Sequence, residues 1–157
     1  MTTIFSTTLP APDSARLAAV SAIQKLLPEI VALTLDAKQA HWNMTGPGFL
    51  PLHTLTDEIA ADGRAWADRL AERAVALGFH VDARPITVAA AAGSFPLGRL
   101  SDVEAARELI SAIDRVVATT RSALDDVGAS DPVAHEISVN IIEGLEKFRW
   151  MLTAQTS

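Results

Sequence analysis

The stretch PLHTLTDEIAADGRAWADRLAERAVAL, residues 51–77, decides the fold and carries most of the candidate chemistry. Its apolar residues recur with a helical period, and at 100° per residue they fall within about 60° of one another. These residues are Leu52, Leu55, Ile59, Trp66, Leu70 and Leu77. The stripe predicts an amphipathic helix that buries one face in a larger core and stops at Gly78.

Four ionisable side chains occupy the opposite face of this helix, within about 100° of one another. They are His53, Asp57, Asp68 and Glu72, and His41 lies twelve residues before His53 at the end of the preceding helix. One interpretation is an ordinary solvated face with neighbours at i,i+4. The other is a metal site, because imidazole with carboxylate suits iron, zinc or manganese.

The distance between the carboxylates along the helix limits how a metal site could form. Asp57 and Asp68 are eleven residues apart, roughly 16 Å along a straight helix, so one chain cannot bring both to one ion. Two copies packed antiparallel about a two-fold axis would bring them together, with the axis crossing near residues 62 and 63. Small residues at that point, Ala60, Ala61 and Gly63, predict a close helix approach. An isologous dimer would make the site twice.

Outward from this helix, the chain predicts an all-α four-helix bundle. We expect an extended tail over residues 1–12 and one domain over residues 13–157. We expect the first helix over residues 13–43, with Leu17 among its core-facing residues and a kink or defect at Pro28. A capping box at residues 101–104 starts the third helix, which we expect to end at Gly128, and the fourth runs from 132 to about 153. The connection over 79–100 is long enough to cross the bundle and to hold a short helix near 88–92.

Composition excludes several classes of function. The 157 residues carry a formal net charge of −6, which disfavours electrostatic capture of nucleic acid or of an anionic membrane. Cysteine and tyrosine are absent, which excludes thiolate chemistry and tyrosyl radicals. No secretory signal and no uninterrupted apolar span are evident, so we expect a cytoplasmic protein without a membrane segment.

Three stretches of the chain stand out as motifs: KQAHWNMTGPGFLPLHTLTDEI (38–59), ADRLAERAVALG (67–78) and LEKFRWML (145–152). They resemble the motifs of the Dps family, ferritin-like mini-ferritins named for DNA protection in starved cells. The family pattern H-x(11)-H-x(3)-D-x(10)-D-x(3)-E is met by His41, His53, Asp57, Asp68 and Glu72. Ordinary ferritins place Glu-x-x-His pairs inside one bundle, and this chain contains no Glu-x-x-His.

The resemblance implies a hollow dodecamer with ferroxidase centres shared between two-fold-related chains. In such a centre His41, His53 and Asp57 come from one subunit, and Asp68 and Glu72 from its neighbour. The family oxidises Fe(II), preferably with hydrogen peroxide, and stores the ferric mineral, which protects the cell from oxidative stress. We expect the two histidines to supply nitrogen ligands. Asp57 and Glu72 would be bridging or terminal carboxylate ligands, and Asp68 would bind the metal more weakly. Trp42 is either a packing residue or a quencher of stray oxidising equivalents.

Other functions remain open from the sequence. A His/carboxylate site can also activate water, so a metal-dependent hydrolase of amides or esters is an alternative. A DNA-compacting shell is disfavoured by the acidity and by the absence of a basic residue before Arg16. Four acidic residues lie between the third predicted helix and the start of the fourth, and they could line a pore for iron entry: Asp125, Asp126, Asp131 and Glu136. Helix capping by itself accounts for an aspartate at position 131. We interpret His80 and His135 as loop and surface residues, and Trp66 and Trp150 as core.

Overall fold

The computed structural model describes residues 14–156, apart from the side chains at 15, 125, 126 and 129. Its helices are α1 (Ser14–Asn43), α2 (Phe49–Ala76), α3 (Pro85–Ala91), α4 (Asp102–Ser130) and α5 (Pro132–Gln155). Two short strands, β1 (Met44–Thr45) and β2 (Leu100–Ser101), pair in parallel. The all-α four-helix bundle with a short helix in the long connection is therefore confirmed. The predicted tail over 1–12 lies outside the described residues.

The four long helices form two hairpins joined by the long connection. Helix α1 packs against α2 and α4, and α5 packs against α4 and α2, so α2 and α4 lie diagonally. The centre is filled by fully buried aliphatic side chains: Ile30, Leu33, Leu52, Ile59, Leu70, Leu109, Ile113, Ile141, Leu145 and Leu152. Truncating one such side chain to alanine costs about 2–5 kcal/mol, so this core fixes the relative positions of the helices.

Most helix ends follow their predicted chemistry. Helix α2 ends at Ala76 with Leu77 as its C-cap, and the next residue, Gly78, has a φ of +90° that is costly for other residues. The capping box at α4 is formed, with Glu104 and Ser101 bonding reciprocally. Asp131 caps α5 by accepting from the backbone N–H groups of Val133 and Ala134.

The predicted end of α4 at Gly128 is wrong, because the helix continues to Ser130. Gly128 is not among the glycines with positive φ, so it does not act as a left-handed terminator. It lies against the His135 ring, and an added Cβ would be 3.0 Å from that ring's Cδ2 atom. The helix instead ends at Asp131, which is extended because Pro132 follows it.

Three apolar residues test the predicted core. Trp66 is buried and meets Phe148 edge-on, with ring centroids 6.3 Å apart, which confirms its core assignment. Trp150 is 67% exposed and Leu17 is 50% exposed, so both core assignments are wrong. For Trp150 the reason is helical geometry: it lies two residues after buried Phe148, and residues two apart face different directions.

Helix α1 passes the length and hydropathy test for a membrane span, with a mean hydropathy of 1.4 over its most apolar window. However, 56% of that window is buried inside the bundle. Its apolar face packs against α2 and α4, which is the environment of a core helix.

Candidate metal centre

Two histidines from neighbouring helices meet where α1 turns into α2. His41 lies in the last turn of α1, and His53 lies in the second turn of α2. Their rings stack with centroids 3.6 Å apart and planes 20° apart. His41 is 8% exposed and His53 is half-buried, with Phe49 packing against the second ring at 4.8 Å. The pair therefore sits at the edge of the bundle, partly shielded from water.

Reciprocal hydrogen bonds hold the two rings. Nδ1 of His41 donates to the His53 carbonyl oxygen at 3.0 Å, and Nδ1 of His53 donates to the His41 carbonyl oxygen at 3.1 Å. Because a carbonyl oxygen only accepts, each Nδ1 carries a proton, and in the neutral imidazole each Nε2 then keeps a free lone pair. The hydroxyl of buried Thr56 lies 3.2 Å from the His41 Nδ1 and donates to the same His53 carbonyl.

This arrangement fits a metal ion. Proteins commonly orient a metal-binding imidazole by letting its other ring nitrogen donate to a carbonyl oxygen, and both rings here are held that way. Two neutral nitrogens beside a carboxylate form a donor set suited to iron, zinc or manganese. The residues present therefore fit one half of the predicted site.

Asp57 is the third member of this half-site. Its Oδ1 lies 3.4 Å from the His41 Nδ1 and accepts from the Lys38 ammonium at 2.5 Å. The hydrogen bond from Lys38 holds the pKa of the Asp57 carboxyl below its usual value. Asp57 is thus ionised at neutral pH, and an incoming cation competes with the ammonium for it.

Asp68 and Glu72 lie further along α2 and are exposed to solvent, and the helical repeat places them on the same side as Asp57. Asp57 and Asp68 lie on one continuous helix, so a rise of 1.5 Å per residue separates them by roughly 16 Å. Within residues 14–156, leaving aside the undescribed side chains, no three His, Asp or Glu side chains gather closely enough to hold a metal ion. The described part of the chain therefore offers no complete metal site by itself: it carries the stacked pair His41 and His53 with Asp57 beside them, and the separate exposed pair Asp68 and Glu72.

Gly63 packs inside its own chain, and the two-fold axis expected near residues 62 and 63 stays a prediction. Gly63 is buried, and a Cβ added there would lie 2.6 Å from Cγ2 of Thr34 on α1. The glycine allows α1 and α2 of the same chain to approach closely. Ala60 is also buried, whereas Ala61 is exposed and free to face another molecule.

A broad apolar groove adjoins Asp68, one of the two residues of the carboxylate half-site formed by Asp68 and Glu72. It encloses about 450 Å³ and is lined by side chains of α1, α2 and the following loop. Asp68 and Arg64 lie in its wall, beside the aliphatic residues Val31 and Leu35. Leu35 is 60% exposed, so an apolar surface stands open next to a predicted metal ligand.

Lys38 and Trp42 lie beside the histidine half-site. Trp42 is 68% exposed, so packing within its own chain does not account for it. The Lys38 ammonium lies 5.5 Å from the centroid of the Trp42 ring while it also binds Asp57. The sequence reasoning missed Lys38, although its i,i+3 spacing from His41 places both on one face of α1.

The remaining candidates serve other purposes or lie outside the described side chains. Asp131 is 4% exposed and accepts two hydrogen bonds from Arg73, at 2.8 and 2.9 Å, so it is a capping and pairing residue. His80 is exposed in the loop after α2, and half-buried His135 lies against Gly128. The side chains of Asp125 and Asp126 are not described.

A family model described as a ferritin-like domain matches residues 20–157. DNA protection during starvation protein 2 of Deinococcus radiodurans is 32% identical over 152 residues, covering 95% of this chain and 63% of that protein. The chain thus spans less than two thirds of that relative. DNA protection during starvation protein of Brevibacillus brevis is 32% identical over 130 residues, covering 79% of this chain and 85% of that protein.

The fold of this chain is similar to that of solved Dps structures. Dps from Microbacterium arborescens, solved in its high iron form, superposes with a TM-score of 0.89 at 31% identity. The match covers 94% of this chain and 98% of that one. The whole bundle, including the helices that hold both groups of predicted ligands, therefore has a counterpart in that protein.

Proposed function

Since the chain belongs to the Dps family of ferritin-like proteins, we propose that it oxidises Fe(II) and stores the ferric product. The observation that carries the proposal is the division of ligands along α2. His41, His53 and Asp57 are assembled at one end, and Asp68 and Glu72 are exposed towards the other. The relatives named for DNA protection, and the iron form of the M. arborescens protein, support this proposal.

The complete site forms between two copies of the chain. An antiparallel partner would set its Asp68 and Glu72 opposite the histidine half-site, and the reverse pairing would make a second identical centre. The open apolar groove beside Asp68 supports this mode of association, because burying it favours a partner at that face. We propose that such dimers build a hollow dodecamer, in which mineral collects.

The residues of the chain divide the chemistry among them. The two Nε2 lone pairs bind Fe(II), while the carboxylates of Asp57 and Glu72 favour the higher charge of Fe(III). Asp68 acts as a weaker oxygen ligand. Two Fe(II) ions held side by side each give one electron to one H₂O₂, which takes up two protons and leaves as two water molecules. Paired electron delivery avoids hydroxyl radical.

Trp42 stands next to this reaction with most of its ring exposed. We propose that it donates an electron to any stray oxidant formed at the site. Consumption of Fe(II) and peroxide together would protect a cytoplasm under oxidative stress. Zinc or manganese could take the place of iron in the same ligands.

The test is oxidation of Fe(II), added without oxygen, by stoichiometric peroxide. We expect mineral growth and the loss of one peroxide for each pair of Fe(II) ions. The variant His41→Gly/His53→Gly should oxidise iron far more slowly while the particle keeps its native mass. His80→Gly is the matched control, because that exposed loop histidine lies outside the site. Unchanged initial rates in the double variant would refute the assignment, and turnover of acyl substrates without oxidant would favour a hydrolase.

DNA binding is expected to be weak. The formal charge of −6 per chain is multiplied in any homo-oligomer and repels phosphate. A gel-shift titration of purified particles with plasmid, at neutral pH and ordinary salt, should show little retention. Tight binding that weakens with added salt would contradict this expectation.

A further inference from the structure

We infer that Asp102 is a positioning residue for the two-histidine half of the metal centre. The inference rests on the proposed function. Asp102 is the first residue of α4, and it lies 54 positions along the chain from its partner Gly48. Its Oδ2 accepts from the Gly48 backbone N–H at 2.5 Å, and its Oδ1 accepts from the Val103 N–H at 2.9 Å. One carboxylate thus joins the starts of two helices.

Helix α2 depends on this contact because it has no cap of its own. Its N-cap is Gly48, which makes no side-chain capping bond, and its first turn contains no acidic residue. A helix start leaves backbone N–H groups unpaired and carries partial positive charge. Asp102 supplies the missing acceptor and the missing negative charge from α4.

The turn between α1 and α2 is shaped around this carboxylate. A Cβ on Gly46 would be 2.5 Å from the Asp102 carboxyl group, and one on Gly48 would be 3.0 Å from its Oδ2. Gly46 also has a φ of +143°, which side chains disfavour. The parallel pairing of Met44 with Leu100 and Thr45 with Ser101 ties the same turn to the start of α4.

The turn lies between the two histidines. The contact of Asp102 with this turn, called here the Asp102 clamp, therefore affects how the two rings are positioned for a metal ion. His41 is three residues before Met44, and His53 is five residues after Gly48. Their reciprocal bonds, at 3.0 and 3.1 Å, require the end of α1 and the start of α2 to keep one register. A shift of one residue along a helix is about 1.5 Å, enough to break both bonds. Fraying of the first turn of α2 would reach His53 directly.

The experiment compares Co(II) binding to four metal-free particles under anaerobic conditions: wild type, Asp102→Ala, Asp102→Asn and Glu104→Ala. Glu104→Ala is the matched control, because it removes the capping box of α4 while leaving the contact with the turn intact. The visible Co(II) absorption reports ligand geometry, and thermal unfolding reports stability. His41→Gly/His53→Gly identifies the absorption that comes from the site.

We expect Asp102→Ala to weaken Co(II) binding about 10-fold and to change its spectrum, as loss of an orienting contact does in other metal sites. Asp102→Asn retains one acceptor oxygen and should show a smaller loss; it carries the test if Asp102→Ala does not assemble. Glu104→Ala should bind Co(II) like the wild type, even if its melting temperature falls as much as that of Asp102→Ala. Wild-type affinity and spectrum in both Asp102 variants, or equal losses in the control, would overturn the inference. A wild type without histidine-dependent absorption would instead refute the proposed centre itself.

Discussion

Asp36 on α1 should make the fold more stable in mild acid than at neutral pH. Its carboxyl is half-buried at a cavity of about 50 Å³ between α1, α3 and α4, which Glu29 and Arg115 also line. Burial raises the pKa of Asp36 from 3.8 to about 6, and the charge of Arg115 offsets part of that rise. The ionised form is therefore less favourable in the folded chain than in the unfolded one.

Proton linkage gives the sign and the size of the change in the free energy of unfolding with pH. Between about pH 4 and pH 6 the folded state holds the proton more tightly, so stability falls as pH rises through this window and then levels off. A pKa of about 6 instead of 3.8 corresponds to roughly 3 kcal/mol. Because the carboxyl is partly open to water, screening reduces this to about 1–1.5 kcal/mol.

The perturbation is Asp36→Asn, which removes the charge and keeps the shape. At pH 7.5 the variant should be more stable by about 1 kcal/mol, or 2–4 °C in melting temperature. At pH 4 the difference should vanish, because the wild-type carboxyl is then protonated. The assay is guanidinium unfolding at several pH values and one protein concentration, with exposed Glu143→Gln as the control. An equal effect at all pH values, or a loss of stability at pH 7.5, would refute the reasoning.

Three further substitutions test other contacts. Asp131→Ala removes a helix cap and leaves Arg73 without its buried partner, so unfolding should become easier by about 3 kcal/mol in guanidinium titrations; a change below 1 kcal/mol would contradict this. Gly63→Ala should cost about 1–3 kcal/mol by thermal unfolding, and adding Thr34→Ser, which lacks the clashing methyl, should restore stability; no rescue would show that the contact is not responsible. Lys38→Met removes the ammonium that competes for the metal-site aspartate, so calorimetry should show tighter Co(II) binding, and weaker binding would show that the ammonium assists the site instead.

Helical periodicity predicts the bundle because the core stripe of α2 depends only on which residues face inward. Leu52, Ile59 and Leu70 are all buried as the 3.6-residue period requires. Glycine is a less certain terminator, because its effect depends on the backbone angle and not on its identity. Gly78 has a positive φ and lies just beyond the end of α2, whereas Gly128 has no positive φ and lies inside α4.

The candidate site was predictable only as far as spacing along helices determines it. Spacing placed His41, His53 and Asp57 together, since all three lie near one hairpin turn. The bonds that orient the rings were hidden, because their acceptors are backbone carbonyl groups that carry no sequence signature. The clamp by Asp102 was hidden for a different reason, as it joins residues 54 positions apart.

The proposed centre has consequences for how metal binding is coupled to the rest of the molecule. In small zinc domains the ligands gather only when metal arrives, so binding energy becomes folding energy. Here the two histidine rings are already stacked and their Nδ1 protons are already bonded within one chain. The carboxylates of Asp68 and Glu72 lie outside this half-site, and in the proposed centre they come from a partner chain. Metal affinity in the proposed assembly therefore depends on association between chains, and removal of metal by a chelator should leave the bundle folded.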